Sequence, residues 1–134
     1  MPDIDAFLEK TYGYPDEGWH AMRDWLTQRL RVAAAGRQMA FYGELCSEMA
    51  RAGHPRLDPH GTAFAALLGQ INVLEHDAGN PLISAVVVSK DEMKPGVGFW
   101  SIAAELGYDI GADDRRREAF WLNSLKQCYT RWAD

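Results

Sequence analysis

The sequence has little cysteine and no long hydrophobic run. The two cysteines, Cys46 and Cys128, lie in stretches with helical periodicity and lack Cys-x-x-Cys spacing, so neither a disulfide framework nor a zinc knuckle is indicated. We expect both to be buried free thiols. No apolar stretch approaches the roughly 18 residues that a membrane span requires. The N-terminus is acidic, unlike a secretory signal, and we expect a cytoplasmic protein.

The motifs of several common enzyme classes are also missing. The sequence contains no Gly-x-x-x-x-Gly-Lys-Ser/Thr loop, no Gly-x-Ser-x-Gly elbow and no His-Glu-x-x-His pair. Nucleotide hydrolysis, serine hydrolysis and zinc proteolysis therefore have no motif support. His54, Asp58 and His60 are the nearest approach to a zinc-ligand set, and we interpret them as surface-loop residues. We expect a non-enzymatic protein that uses neither a cofactor nor a metal.

Composition and charge describe one acidic domain. The 134 residues are 47% hydrophobic and 25% charged, and 19 acids against 14 bases give a net charge of −5. A chain of this size buries about two-thirds of its unfolded surface. The net charge argues against a uniformly basic, nucleic-acid-coated surface, but it does not exclude a local basic face.

Turn residues divide the chain into a short N-terminal arm, residues 1–15, and a single domain, residues 16–134. Helical periodicity predicts one helix that ends at Gly36, a second over Glu44–Arg51 and a third from Thr62 to about Ala78. A C-terminal helix, 113–133, begins with an aspartate cap and carries a tryptophan-rich apolar stripe.

One segment, Leu82–Val88, is predicted to be a strand. It has three consecutive valines, which favour extended backbone, and it should be covered on both faces. A charged tip, 89–94, and a Pro-Gly-Val-Gly turn follow. We expect residues 99–106 to return to the core, either as a short strand that turns into helix or as helix throughout.

Three helices, a strand, a charged tip and a glycine-rich return follow one another in the order of a winged helix. The sequence therefore predicts a mostly helical α+β fold. Its architecture is a winged-helix-like bundle with a small β-hairpin and a C-terminal helix.

Short motifs inside this frame resemble a known family. The stretch Phe41-Tyr42-Gly43-Glu44-Leu45, followed by Asn80-Pro81-Leu82 and the valines, is similar to the DNA-binding domain of the O6-alkylguanine alkyltransferases and alkyltransferase-like proteins. That family has a Tyr-Gly-x-Leu/Ile-Ala opening, a recognition helix and an Asn-Pro turn before its active-site segment. The resemblance covers about half of the chain. It implies the fold, with Tyr42 facing DNA and Asn80 supporting the strand.

The chain departs from this family at the reactive centre. Alkyl transfer requires the family's Pro-Cys-His-Arg sequence, because the histidine helps to generate the attacking thiolate. The corresponding stretch, Ile83-Ser84-Ala85-Val86-Val87, has no cysteine, histidine or arginine, which excludes the transferase reaction. Alkyltransferase-like proteins also replace the cysteine, but they keep the surrounding residues and this chain does not. The spacing from Tyr42 to Asn80 is also longer than the family's, and we place the extra loop at 54–61.

Basic side chains make up most of the candidate contact residues. Arg115-Arg116-Arg117 lies in the first turn of the C-terminal helix, where the helix dipole is unfavourable for cations. This placement indicates one of two things: the arginines bind a partner, or they are solvated at a helix start where neighbouring acids offset their charge. The predicted nucleic-acid-binding residues are Tyr42, Arg37, Arg51, Arg56, Lys90, Lys94, Arg115, Arg116 and Arg117.

Two aromatic residues complete the candidate set. Phe99 and Trp100 follow the glycine-rich turn, and they either contact a ligand or partner or anchor the core. Our first hypothesis is a small non-enzymatic module whose partner is DNA. The alternative is a protein-interaction or assembly module with an acidic, aromatic-rich surface, a homodimer included. Neither hypothesis involves a membrane.

Overall fold

The structure is a computed structural model that describes residues 4–133. The helices and strands of that range pack around one hydrophobic core. In chain order they are α1 (Ile4–Glu9), α2 (Asp16–Ala35), β1 (Ala40–Phe41), α3 (Tyr42–Arg51), α4 (Thr62–Asp77), a 3-10 helix (Ile83–Val86), β2 (Val87–Val88), α5 (Val97–Glu105) and α6 (Asp114–Trp132). The predicted mostly helical α+β class is confirmed.

The predicted β-hairpin is wrong. The two strands pair in parallel, with Ala40 beside Val87 and Phe41 beside Val88, and α3 and α4 form the crossover between them. The charged tip closes as a turn in which Ser89 N donates to Lys94 O at 2.9 Å. Residues 97–105 then form α5, so within residues 89–133 no strand returns beside β2.

The predicted strand Leu82–Val88 is only partly correct, because its first half is a 3-10 helix. Asn72 on α4 holds this segment: its Oδ1 accepts a hydrogen bond from Ser84 N at 3.0 Å, and its Nδ2 donates to Ser84 Oγ at 2.6 Å. These tertiary bonds override the β-propensity of the sequence. The expected burial is confirmed, since every residue from 82 to 88 is buried.

The core surrounds this central segment. Helices α2, α4 and α6 all contact the 3-10 helix. Trp121 on α6 donates from Nε1 to Ala85 O at 2.8 Å, and the Cys128 thiol donates to Leu82 O at 3.4 Å. The buried stripe of α2 includes Met22 and Leu26, and each side chain of this kind contributes about 1.5–3 kcal/mol when it is buried.

The described part of the N-terminal arm, residues 4–15, is fastened to the domain by Gln70. Its Nε2 donates to the backbone oxygens of Phe7 and Lys10, both at 2.9 Å. Its Oε1 accepts from Trp19 Nε1 at 2.9 Å and from Arg23 Nη1 at 2.8 Å. One buried amide therefore links α1, α2 and α4.

Two local predictions are confirmed. Asp113 caps α6, since its side chain accepts from Arg116 N at 2.8 Å. Cys46 and Cys128 are buried free thiols. Burial raises the pKa of Cys46 to about 11, and burial together with nearby Glu75 raises the pKa of Cys128 to about 12.

Candidate functional site

A cavity of about 480 Å³ opens between α4, the 3-10 helix and the segment 94–99. We call it the α4 cavity. Its volume lies in the range of small-molecule sites, about 300–1,000 Å³. Its wall is mostly apolar or glycine, and includes Leu68, Gly69, Pro95, Gly98, Phe99 and Ile102.

Asn72 and Ser84 are the buried polar residues of this lining. Asn72 is 1% exposed and Ser84 is 4% exposed. Their two mutual hydrogen bonds hold both side chains in one orientation, because each bond restrains the rotamer of the other partner. The cavity therefore has a fixed polar pair on an otherwise largely apolar surface.

Tyr42, the first residue of α3, closes one wall. Its Oη accepts a hydrogen bond from Gly96 N at 2.7 Å, and its ring meets Phe64 edge-on with centroids 6.0 Å apart. A β-carbon at position 96 would lie 3.1 Å from this oxygen, so glycine permits the close approach. Burial raises the pKa of the Tyr42 phenol more than the bond from Gly96 lowers it, so the phenol is neutral at physiological pH.

A second cavity, of about 650 Å³, shares the Tyr42 wall. It lies between α3 and residues 89–91, and we call it the α3 cavity. Lys90 Nζ is 3.7 Å from Glu44 Oε1 across it, and both side chains are exposed. Such a pair contributes about 0–1 kcal/mol and leaves Lys90 free to contact other groups.

Five predicted site residues meet around these two cavities: Tyr42, Arg51, Lys90, Lys94 and Phe99. Carboxylates accompany the cations here, namely Glu44, Glu48, Asp91 and Glu92. Glu48 is already paired, since it accepts from Arg29 Nε at 2.8 Å. The cavity face is therefore close to neutral rather than strongly basic.

The structure does not bring the remaining predicted cations to this face as one patch. Arg37 follows the end of α2 and lies near Tyr129, where it lowers a phenol pKa that burial raises. Arg115 is in the first turn of α6, about 21 Å from Tyr129 along a helix with a rise of 1.5 Å per residue. Arg56 lies near Cys46 in the 52–61 loop, with Asp58 beside it.

The arginine triplet itself is exposed. Arg116 Nε is 3.9 Å from Asp113 Oδ2, a contact that fits the interpretation of a helix start offset by its own acids. The Arg117 backbone oxygen accepts from Trp100 Nε1 at 3.0 Å, which joins α5 to α6. A role of Arg115, Arg116 and Arg117 in binding stays a prediction.

The two aromatic candidates have different surroundings. Phe99 is buried and lines the α4 cavity. Trp100 is half-buried and is not part of that lining, because its indole turns towards α6 and bonds to Arg117. Phe99 can therefore contact a ligand in the α4 cavity directly.

Sequence reasoning missed Asn72, Ser84 and His60 as cavity residues. The available signal was a polar pair, Gln70 and Asn72, inside an apolar helix, since buried amides are rare unless they bond to specific partners. The partners themselves lie 12 and more positions away, so the pattern gave no indication of the cavity.

Residues 4–133 place no group of three or more His, Cys, Asp or Glu side chains where it would hold a metal ion. No helix in the same range has the length and apolar character needed to cross a membrane.

Comparison of the chain with models of protein families, with curated proteins and with solved structures finds no match.

Proposed function

We propose that the protein is a non-enzymatic DNA-binding module whose α4 cavity receives a base extruded from the duplex. One observation supports this above the others. Tyr42 belongs to a segment that resembles the alkyltransferase DNA-binding domain, Ser84 lies in the stretch that corresponds in position to that family's active-site segment, and both line the same cavity. Convergence of these segments on a cavity is what a shared binding architecture requires.

The chemistry of the cavity suits a flat, mostly apolar ring. Extrusion of a base costs a few kcal/mol, and the cost is smallest for a base that is already unpaired. Stacking of a base on an aromatic side chain such as Tyr42 contributes about 1–3 kcal/mol of favourable binding free energy. Apolar contacts with Leu68 and Phe99 add to this, so occupancy by an unpaired base is favourable.

Binding rather than catalysis is supported by the surroundings of Ser84. A serine nucleophile needs an adjacent base to remove its proton. Within residues 4–133, the Ser84 hydroxyl bonds to an amide nitrogen and to neither a histidine nor a carboxylate.

We expect recognition to be independent of DNA sequence. The exposed side chains in the first half of α4 are Thr62 and Ala65, which are too small and too few to read base edges. Arg51, Lys90 and Lys94 are the cations available for phosphates on the cavity face. Three phosphate contacts predict a plot of log K against log salt with a slope of roughly −3.

The experiment compares two fluorescently labelled duplexes that differ in one unpaired base, by anisotropy at several salt concentrations. We expect the duplex with the unpaired base to bind more tightly, with the shallow salt slope. Arg51→Gln should weaken binding and reduce the slope by about 1. The matched control Arg37→Gln changes a cation away from this face and should leave binding unchanged.

Two results would overturn the proposal. Equal affinity for both duplexes would show that the cavity receives no base. An absence of binding at low salt would remove DNA as the partner and favour the alternative of a protein-interaction module.

A further inference from the structure

The buried polar pair of the α4 cavity has unused donors. Asn72 Nδ2 has two hydrogens, of which one is given to Ser84 Oγ, while Asn72 Oδ1 accepts from Ser84 N. The second amide hydrogen and the Ser84 hydroxyl hydrogen have no acceptor in the part of the chain that the structure describes.

Tyr42 adds a third donor from a different element. Its oxygen accepts from Gly96 N, and its own hydroxyl hydrogen has no acceptor among residues 4–133. A phenol with the ordinary pKa of about 10 already keeps this hydrogen at neutral pH, and burial raises the pKa of Tyr42 further. Helices α3 and α4 and the 3-10 helix thus each contribute one unused donor to the cavity lining.

A ligand that fits this arrangement must supply acceptors. Burying a donor against a ligand that lacks an acceptor leaves the donor unpaired, which costs more than making the bond gains. We propose that the α4 cavity prefers a heterocyclic base that presents a carbonyl oxygen over one that presents an amino group at the same position. An amino group would place its hydrogens against donors.

This preference deepens the proposed function, and it depends on that function when the base belongs to DNA. A free nucleoside presents the same carbonyl or amino group, so the preference can also be measured without DNA. Two arms separate the sources. One measures duplexes with a single unpaired deoxyinosine or deoxyadenosine, which have a carbonyl or an amino group, respectively, at C6 and differ also in that only the first carries a hydrogen on N1. The other titrates free inosine and adenosine by calorimetry.

We expect the inosine base to bind about tenfold more tightly than the adenine base, the effect of roughly one well-placed hydrogen bond. Ser84→Ala should reduce that preference to about threefold or less, because one donor is lost. The control Ser124→Ala changes an equally buried serine whose Oγ donates to Phe120 O at 3.0 Å on α6, and should keep the full preference. Tyr42→Phe keeps the ring, removes the third donor and should also reduce the preference.

The outcomes separate this inference from the proposed function. Equal binding of inosine and adenosine in both arms overturns the inference, even if DNA is bound. Preference for free inosine without any DNA binding supports the inference and overturns the proposed function. If Ser84→Ala fails to fold, as judged by circular dichroism, Tyr42→Phe decides, and an unchanged preference in it contradicts the inference.

Discussion

At the scale of single residues, buried amides organise this protein more than charges do. Gln70 and Asn72 are two positions apart on α4, and they serve opposite sides of the helix. Gln70 fixes the N-terminal segment, while Asn72 fixes the 3-10 helix beside the cavity. Each is almost fully buried, so every one of its bonds replaces a lost contact with water.

Replacing Gln70 by leucine tests this view. The substitution leaves the indole of Trp19, the guanidinium of Arg23 and the two backbone oxygens of α1 without their partner, and we expect a loss of about 3 kcal/mol in the free energy of unfolding. Urea denaturation measures it. Gln28→Leu, at an exposed position of α2, should change stability by less than about 0.5 kcal/mol. Equal effects of the two substitutions would contradict the role of Gln70.

At the scale of elements, two glycines with positive φ lie in the connection between α5 and α6, and Gly111 is the one whose surroundings also leave no room for a side chain. Gly111 has φ +89°, and a β-carbon there would lie 2.3 Å from Arg116 Cβ. Gly79 has a similar φ of +79°, with open space around it. The two positions therefore separate backbone strain from steric overlap.

We expect Gly79→Ala to lower the free energy of unfolding by about 1–2 kcal/mol, the cost of the left-handed conformation. Gly111→Ala combines that strain with a clash against the first turn of α6, and should cost about 1–3 kcal/mol more. Thermal unfolding of both variants checks the difference. Equal losses would mean that the start of α6 shifts without cost.

Periodicity predicts α2, α3, α4 and α6 because each of these helices has buried residues at a spacing that its own sequence specifies. The stripe of α2, with Trp19, Met22 and Leu26, is an example. The valines of segment 82–88 favour extended backbone and predict a strand throughout, whereas Asn72, on another helix, holds the first half of the segment as a 3-10 turn. Local propensity does not contain that information. The α4 cavity cannot be predicted from the sequence for the same reason, since Tyr42 and Ser84 meet only through tertiary packing.

At the scale of the whole molecule, buried thiols and phenols connect stability to pH. Burial raises the pKa of Cys46 to about 11 and of Cys128 to about 12, from 9.0. It also raises the pKa values of the Tyr42 and Tyr129 phenols. Folded protein therefore retains protons that the unfolded chain releases, and the stability linked to these groups is present below pH 9.

We expect the free energy of unfolding to fall as pH rises from about 9 towards 12, where the folded groups themselves titrate. Urea denaturation at a series of pH values measures the slope. Cys128→Ala removes a thiol whose pKa rises to about 12 in the folded protein, and it should flatten the decline. If the free energy of unfolding of the unmodified protein stays constant up to pH 11, the link between these buried groups and stability is contradicted.

The two-residue parallel ladder also determines where insertions are tolerated. Residue 41 pairs with Val88, and Tyr42 begins α3 at the next position, so no spacer separates the ladder from the cavity wall. One additional residue at this junction would rotate α3 by about 100° about its axis and carry the phenol away from Gly96. The first part of the following loop, residues 52–56, is mostly exposed and lines neither cavity. Insertions and deletions in related sequences should therefore be found in that part of the loop and should be rare at the junction between β1 and α3.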